Sequence, residues 1–217
     1  VPRDMEKAID LMTKAANKNY VRAQYDLGNI YFEGKYIKRD VNKAIKYFKL
    51  ASEQNHIKAL VYLGIIYSNG FGVPIDANQA IYYLKKAADQ HNPKAQFYLG
   101  KIYFSPELKV FDIEKAISYM ELAAEQNYKD AQNFLGALYM DDKFGKHDIE
   151  KAINYLTISA DNNCAIAQKN LGFIYLNKKY NKYDIQKAIH YLLLAAKNNI
   201  PDAQGALGVI YLQGLDI

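Results

Sequence analysis

The sequence has one cysteine, no tryptophan and no apolar run long enough to cross a membrane. The lone Cys164 excludes an intrachain disulfide and a multi-cysteine metal site, and it is compatible with a reducing compartment. No charged start leads into an apolar segment of the secretory kind, although the chain opens in mid-repeat and an upstream targeting segment stays open. Charge of one sign is scarce: 28 Lys+Arg stand against 23 Asp+Glu, a net +5. The excess is uneven. Residues 1–108 hold 16 basic and 10 acidic residues (+6), whereas residues 109–217 hold 12 and 13 (−1). This is more dilute than the dense positive stripe of a nucleic-acid binder. With 50% hydrophobic and 24% charged residues, the chain is too apolar to be disordered and is expected to be soluble and folded. What it has in abundance is tyrosine, 20 in all.

It also has a repeat. AQYDLGNIY (23–31) returns as AQFYLGKIY at 95, AQNFLGALY at 131, AQKNLGFIY at 167 and AQGALGVIY at 203, with a looser ALVYLGIIY at 59. Gly28, Gly64, Gly100, Gly136, Gly172 and Gly208 are 36 residues apart. So are Asp4, Asp40, Asp76, Asp112, Asp148 and Asp184, and the alanines that begin with Ala8 and Ala44. An uninterrupted period of this size marks a solenoid.

Each unit reads as two helices. In the first, from about residue 23 to 33, Ala23, Leu27 and Tyr31 form one apolar stripe. The glycine after Leu27 would cost a helix interior about 1 kcal/mol relative to alanine, so its recurrence predicts close approach of a partner helix. The second helix follows Asp40 and carries Ala44, Tyr47, Phe48 and Ala51 at helical spacing. The aspartate is placed to cap it, with Glu114 and Glu150 in the first turn where the helix dipole favours them. Asn19, Asn55, Asn127, Asn163 and Asn199 are expected to close it. Eleven tyrosines fall at the Tyr31 and Tyr47 positions and are expected in the core, hydroxyls toward the rim.

The pattern A-Q-x-x-L-G-x-[IL]-Y followed by D-x-x-K-A-I-x-Y-[FLM]-x-x-A-A resembles the Sel-one-like repeat, a relative of the tetratricopeptide repeat, over the whole chain. The loop pattern of that family is intact only in NGFGVPID (69–76), and VPRD at the start matches its end, which favours native sequence over an expression tag. DDKFGKHD and NKKYNKYD keep the length and the aspartate without the glycines, so loop conformations are expected to differ between repeats. The family often carries Trp-Tyr where this chain has Tyr47-Phe48. The resemblance implies an all-α, right-handed superhelical solenoid of antiparallel helix pairs, working as an adaptor or scaffold. In this reading residues 1–217 form a single repeat domain: a partial repeat 1–19, repeats 20–55, 56–91, 92–127, 128–163 and 164–199, and a partial repeat 200–217. The lone helices at 5–18 and 201–214 lack polar capping faces, which reads as a fragment of a longer array or as a unit that associates end to end.

In tetratricopeptide-like units the first helix lines a concave groove. The positions flanking its apolar stripe are Arg22, Tyr25, Asn29 and Phe32; Lys58, Val61, Ile65 and Ser68; Lys94, Phe97, Lys101 and Phe104; Asp130, Asn133, Ala137 and Met140; Ile166, Lys169, Phe173 and Leu176. These vary while the stripe does not. Aromatic anchors mixed with cations would suit a peptide with hydrophobic and acidic groups. The competing reading, strongest for Phe104, Met140, Phe173 and Leu176, is that the apolar members pack against neighbouring repeats.

Chemistry-bearing residues are sparse. His56, His91, His147 and His190 occupy unlike phases, with no i, i+4 pair for a metal, and read as solvated turn residues. Cys164 lies in an inter-repeat turn without cues for a catalytic partner. Asp112/Glu114 and Asp148/Glu150 are better explained as caps than as acid–base pairs, and NGFGVPID lacks the lysine and strand context of a phosphate loop. No cofactor and no catalysis are expected. The sequence thus favours a non-enzymatic scaffold that holds another protein or peptide. Two alternatives stay open: a dedicated inhibitor or immunity-type protein that binds one toxin or enzyme, and nucleic-acid binding through the basic N-terminal half, which the modest charge disfavours and which predicts steep salt dependence.

Overall fold

The computed structural model describes residues 4–215; Val1, Pro2 and Arg3 of the VPRD match lie outside the described residues, as do 216 and 217. The described residues form α-helices joined by short loops, with no strand among them. The helices are α1 (Met5–Asn17), α2 (Val21–Glu33), α3 (Val41–Glu53), α4 (Ile57–Asn69), α5 (Ala77–Ala88), α6 (Pro93–Phe104), α7 (Ile113–Glu125), α8 (Lys129–Met140), α9 (Ile149–Asp161), α10 (Ala165–Leu176), α11 (Ile185–Lys197) and α12 (Pro201–Leu212). Two compact units are present, residues 1–119 and 120–217, with the division inside α7. The first helices begin about two residues before the expected alanine.

In unit 1 each first helix packs against its own second helix, α2 on α3 and α4 on α5, and each second helix passes on to the next first helix. Successive first helices also touch, α2 with α4 and α4 with α6, while α3 and α5 approach less closely, so the first helices make the tighter, inner layer. Unit 2 repeats this with α8 on α9, α10 on α11, and an inner row α8–α10–α12. The close pairing depends on the repeated glycine. A Cβ built on Gly28 would lie 2.6 Å from the Phe48 ring, and one on Gly172 would lie 2.6 Å from Leu192. Phe48, Leu84, Leu156 and Leu192 all fill this position and are fully buried.

The capping aspartates behave as expected. Asp4, Asp40, Asp76, Asp112, Asp148 and Asp184 each accept the backbone N–H three residues on, at 2.9–3.0 Å, an interaction worth about 1 kcal/mol. Asn19, Asn55, Asn127, Asn163 and Asn199 take the left-handed conformation that reverses the chain, and His91 stands in for asparagine in its repeat. The tyrosines stack in near-parallel pairs, Tyr31 on Tyr47, Tyr67 on Tyr83, Tyr103 on Tyr119, Tyr139 on Tyr155 and Tyr175 on Tyr191, with centroids 5.9–6.0 Å apart. Most are half-buried and not fully in the core, because the hydroxyl end stays at the rim.

The glutamine of the A-Q motif has a role that the sequence pattern did not disclose. Gln24 donates from Nε2 to the Ala16 carbonyl at the end of α1, 3.2 Å away. Gln132 bonds Ala124 and Gln168 bonds Ala160 in the same way. A buried amide thus ties α2, α8 and α10 to the end of the preceding second helix, whereas α4 has Leu60 at this position.

The loops fall into two kinds. After α2 and α4 a left-handed glycine, Gly34 or Gly70, ends the helix at once. After α6, α8 and α10 an extended Ser105, Asp141 or Asn177 opens a tight turn, and the left-handed residue comes later, at Lys109, Gly145 or Asn181. Both kinds end alike: the N–H of the capping aspartate donates to the carbonyl of the stripe tyrosine, Asp40 to Tyr31 and Asp184 to Tyr175 among them, at 2.8–3.0 Å.

Candidate functional site

The flanking positions of α2, α4 and α6 come together on the inner layer of unit 1. Arg22, Lys58 and Lys94 each occupy the second residue of their helix and are exposed. Arg22 is drawn back onto Asp26, its Nε 3.0 Å from the carboxylate. Lys58, Lys94 and Lys101 have no carboxylate partner among the described residues. Lys94 reaches across from α6 to lie 5.8 Å above the ring of Tyr62 on α4. Lys101 lies 5.9 Å from the Phe97 ring and 5.7 Å from that of Tyr98.

Under these cations runs an aromatic floor. Tyr25 stacks on His56 at 4.6 Å and meets Tyr62 at 6.2 Å. Tyr62 lies flat on Phe48 at 5.0 Å, and Phe32 stands edge-on to Tyr62 at 5.6 Å. Arg39 lies 5.1 Å from the Phe32 ring and 5.9 Å from that of Phe71, the two rings themselves being 6.1 Å apart. Burial pushes the Tyr25 hydroxyl up to about 12, with the Tyr62 hydroxyl and Asp26 adding to it; burial also raises Tyr62. Both are therefore neutral hydrogen-bonding phenols at physiological pH.

Two open clefts adjoin the floor. One, of about 490 Å³, is lined by Arg22, Tyr25, Gln54, His56, Lys58 and Gln90 among others. The second, of about 320 Å³, lies between the ends of α4 and α6, with Ile75, Tyr98, Lys101, Ser105 and Glu107 on its walls. His56 is not a solvated turn residue. It caps α4 through Nδ1, which accepts the Ala59 N–H at 3.3 Å, and burial together with the fields of Lys58 and Arg22 holds its pKa below the usual imidazole value.

Several expected groove residues are placed otherwise. Val61 is buried, 4% exposed, in the core cluster of α4, α5 and α6, and presents no surface. Its helix is apolar on nearly every side, with Leu60 where other repeats have glutamine, so this position turns inward. Ile65 packs half-buried on the same cluster. Phe104 is half-buried 6.5 Å from Phe111, and Ser68 is turned back onto the Ile65 carbonyl. Asn29 binds Glu33 through Nδ2 while its Oδ1 is buried.

Unit 2 presents a different face. On α8, Asp130 and Ala137 are exposed, Met140 is half-buried, and the Asn133 Oδ1 is buried. On α10, Ile166 is exposed, Lys169 pairs with Asp202 of α12 at 3.2 Å, and Phe173 and Leu176 pack on the α11–α12 core. Sequence reasoning missed Tyr62, Tyr98 and the cap His56. The two tyrosines lie four residues beyond Lys58 and Lys94, hence on the same helix face, and that spacing was the available signal.

The remaining reactive residues do not converge. His147 faces Asp142 at 3.2 Å, His190 is exposed beside Tyr191, and Cys164 sits half-buried at the start of α10. Among the described residues no group of three or more His, Cys, Asp or Glu is placed to hold a metal, and no helix is long and apolar enough to cross a membrane.

Comparisons agree with this architecture. The family model described as Sel1 repeat matches residues 1–20, 21–56, 57–92, 93–128, 129–164, 165–200 and 201–217. The crystal structure of a Sel1 repeat protein from Oxalobacter formigenes is 32% identical, with a TM-score of 0.75 over 91% of this chain and 81% of that one. A protective antigen of uropathogenic Escherichia coli with an SLR fold is 26% identical, TM-score 0.71, over 95% of this chain and 52% of that one. An immunity protein of Pseudomonas aeruginosa, 22% identical with a TM-score of 0.55 over 94% of this chain and 76% of that one, shares the fold alone. A comparison with curated proteins returned no match. Repeats of this kind typically serve as protein-interaction scaffolds. The chain belongs to the Sel1-repeat family.

Proposed function

We propose that this protein is a non-enzymatic interaction scaffold that holds a segment of another protein across the inner layer of α2, α4 and α6. The observation that carries this reading is the aromatic floor of Tyr25, Phe32, Tyr62, Phe97 and Tyr98, lying half-buried beneath Lys58, Lys94 and Lys101, which have no carboxylate partner among the described residues. Aromatic anchors supply most of the energy in protein interfaces, and surrounding charges select the partner and speed encounter. The alternative is an inhibitor that binds one toxin or enzyme, and the same experiment would name such a partner.

The test compares the parent chain with Phe97→Ala/Lys101→Glu and with Lys46→Glu/Tyr82→Ala on the second helices, using each to retain partners from the source cell. Loss of a partner from the first variant only, with helicity unchanged, is expected. Retention by the first variant would move the working surface elsewhere.

A further inference from the structure

Arg22, Lys58 and Lys94 share a local anomaly. Each sits in the first turn of its helix, where the dipole disfavours a cation. In unit 2 the same position holds Asp130 in α8 and Asp202 in α12, the choice the dipole favours, and the neutral Ile166 in α10. A local choice that works against stability three times in succession points to a surface role. The three cations are also connected: Arg22 and Lys58 flank one cleft beside Tyr25 and His56, and Lys94 leans over Tyr62, which touches Tyr25.

We propose that this row reads an extended acidic segment of a partner protein with a carboxylate at every third residue, apolar residues between them resting on the tyrosines. The spacing follows from geometry. Helices in contact lie about 8–10 Å apart, and α2 touches α4 as α4 touches α6, so cations at one position of each helix would repeat at roughly the upper end of that range, about 10 Å. An extended chain rises about 3.3 Å per residue, so three residues advance it by the same distance. Duplex nucleic acid, with a phosphate about every 3.4 Å along each strand, matches the row poorly. The proposal rests on the inner-layer reading above and adds the partner's chemistry and register.

The full-length chain is titrated with a capped peptide, acetyl-(Asp-Ser-Leu)4-amide, and with an isomer of the same composition whose four aspartates are contiguous. The expected result is binding of the period-three peptide at least about tenfold tighter than the isomer. That preference disappears in Arg22→Glu/Lys58→Glu/Lys94→Glu, or in the milder Lys58→Gln if the triple variant loses helicity, and the His56 imidazole titrates higher when the peptide is bound. Equal affinity for the two peptides, or no binding of either at millimolar concentration, overturns the proposal. So does tighter binding of a single-stranded oligonucleotide, which would assign the row to nucleic acid. Phe97 and Lys101 are untouched in these variants. If Phe97→Ala/Lys101→Glu loses its partner while the peptides are not distinguished, the scaffold reading stands and the carboxylate register falls.

Discussion

The helices α6 and α8 share a scaffold and differ in almost everything that meets solvent. Ala95 and Ala131, Leu99 and Leu135, and Gln96 and Gln132 are buried alike in the two. Around this common frame α6 presents Lys94, Phe97 and Lys101, whereas α8 presents Asp130, Asn133 and Ala137. The contrast extends across the units. The inner layer of unit 1 is aromatic, with lysines that have no carboxylate partner among the described residues. In unit 2 the equivalent positions are acidic at the start of α8 and α12, apolar at the start of α10 in the exposed Ile166, self-paired as Lys169–Asp202, or absorbed into the core as Phe173 and Leu176. Positions that make one repeat stick to the next are constant, and those free of that duty carry the difference.

The scaffold half of this comparison predicts the largest effects. Leu99→Ala and Leu171→Ala remove fully buried side chains from equivalent places, and each should cost about 2–5 kcal/mol in denaturant unfolding. A much smaller loss in one would show that the two units do not share a scaffold. Exchanging surfaces comes next. Lys94→Asp/Phe97→Asn writes the α8 face onto α6 and should weaken partner binding by more than about tenfold, with the far-ultraviolet dichroism unchanged. The reciprocal Asp130→Lys/Asn133→Phe in unit 2 should leave that affinity within about twofold. Loss in both would end the distinction.

The two loop kinds offer a subtler test. Lys109 holds a left-handed φ of 57°, which costs a non-glycine residue about 1–2 kcal/mol. Lys109→Gly should therefore stabilise the chain by up to about 1 kcal/mol, after the added freedom of the unfolded state is counted. Asn181→Gly should do less, because asparagine tolerates that conformation. The smallest effect concerns pH. The pKa of His56 is lowered on folding, so the stability it contributes is present above about pH 6.5 and lost as pH falls from there through its folded value. Protonation also removes the Nδ1 acceptor that caps α4. Asn92 caps α6 at the equivalent position with the Ala95 N–H at 3.0 Å and no titration. His56→Asn should accordingly flatten the decline in melting temperature between pH 7 and pH 5, and an unchanged decline would remove His56 as its source.

Much of the fold was legible because the period writes each local rule several times. The Asp caps and the closing asparagines could be read from single repeats and checked against the others, since each depends on neighbours within about one turn. The glycine contacts join helices 20 residues apart but lie within one repeat unit, as Gly28 with Phe48. The surface was less legible. Val61 was placed on the groove by its register and is buried, because Leu60 and the apolar flanks of α4 turn that position inward. Tyr62 and Tyr98 were passed over because their scaffold equivalents, Asp26 and Phe134, look unrelated.

By itself, then, the sequence determined the helices, their caps, their pairing and their period, because these are set by short-range sterics, hydrogen bonding and a spacing of apolar residues that repeats. Tertiary structure decided which side chains stay in solvent. The glutamine ties between repeats, the stacking of Tyr25 on His56, and the gathering of Arg22, Lys58 and Lys94 beside one aromatic floor join residues roughly 30 or more positions apart or on different helices. Their proximity depends on how each repeat is set against the next, and no single repeat contains that information.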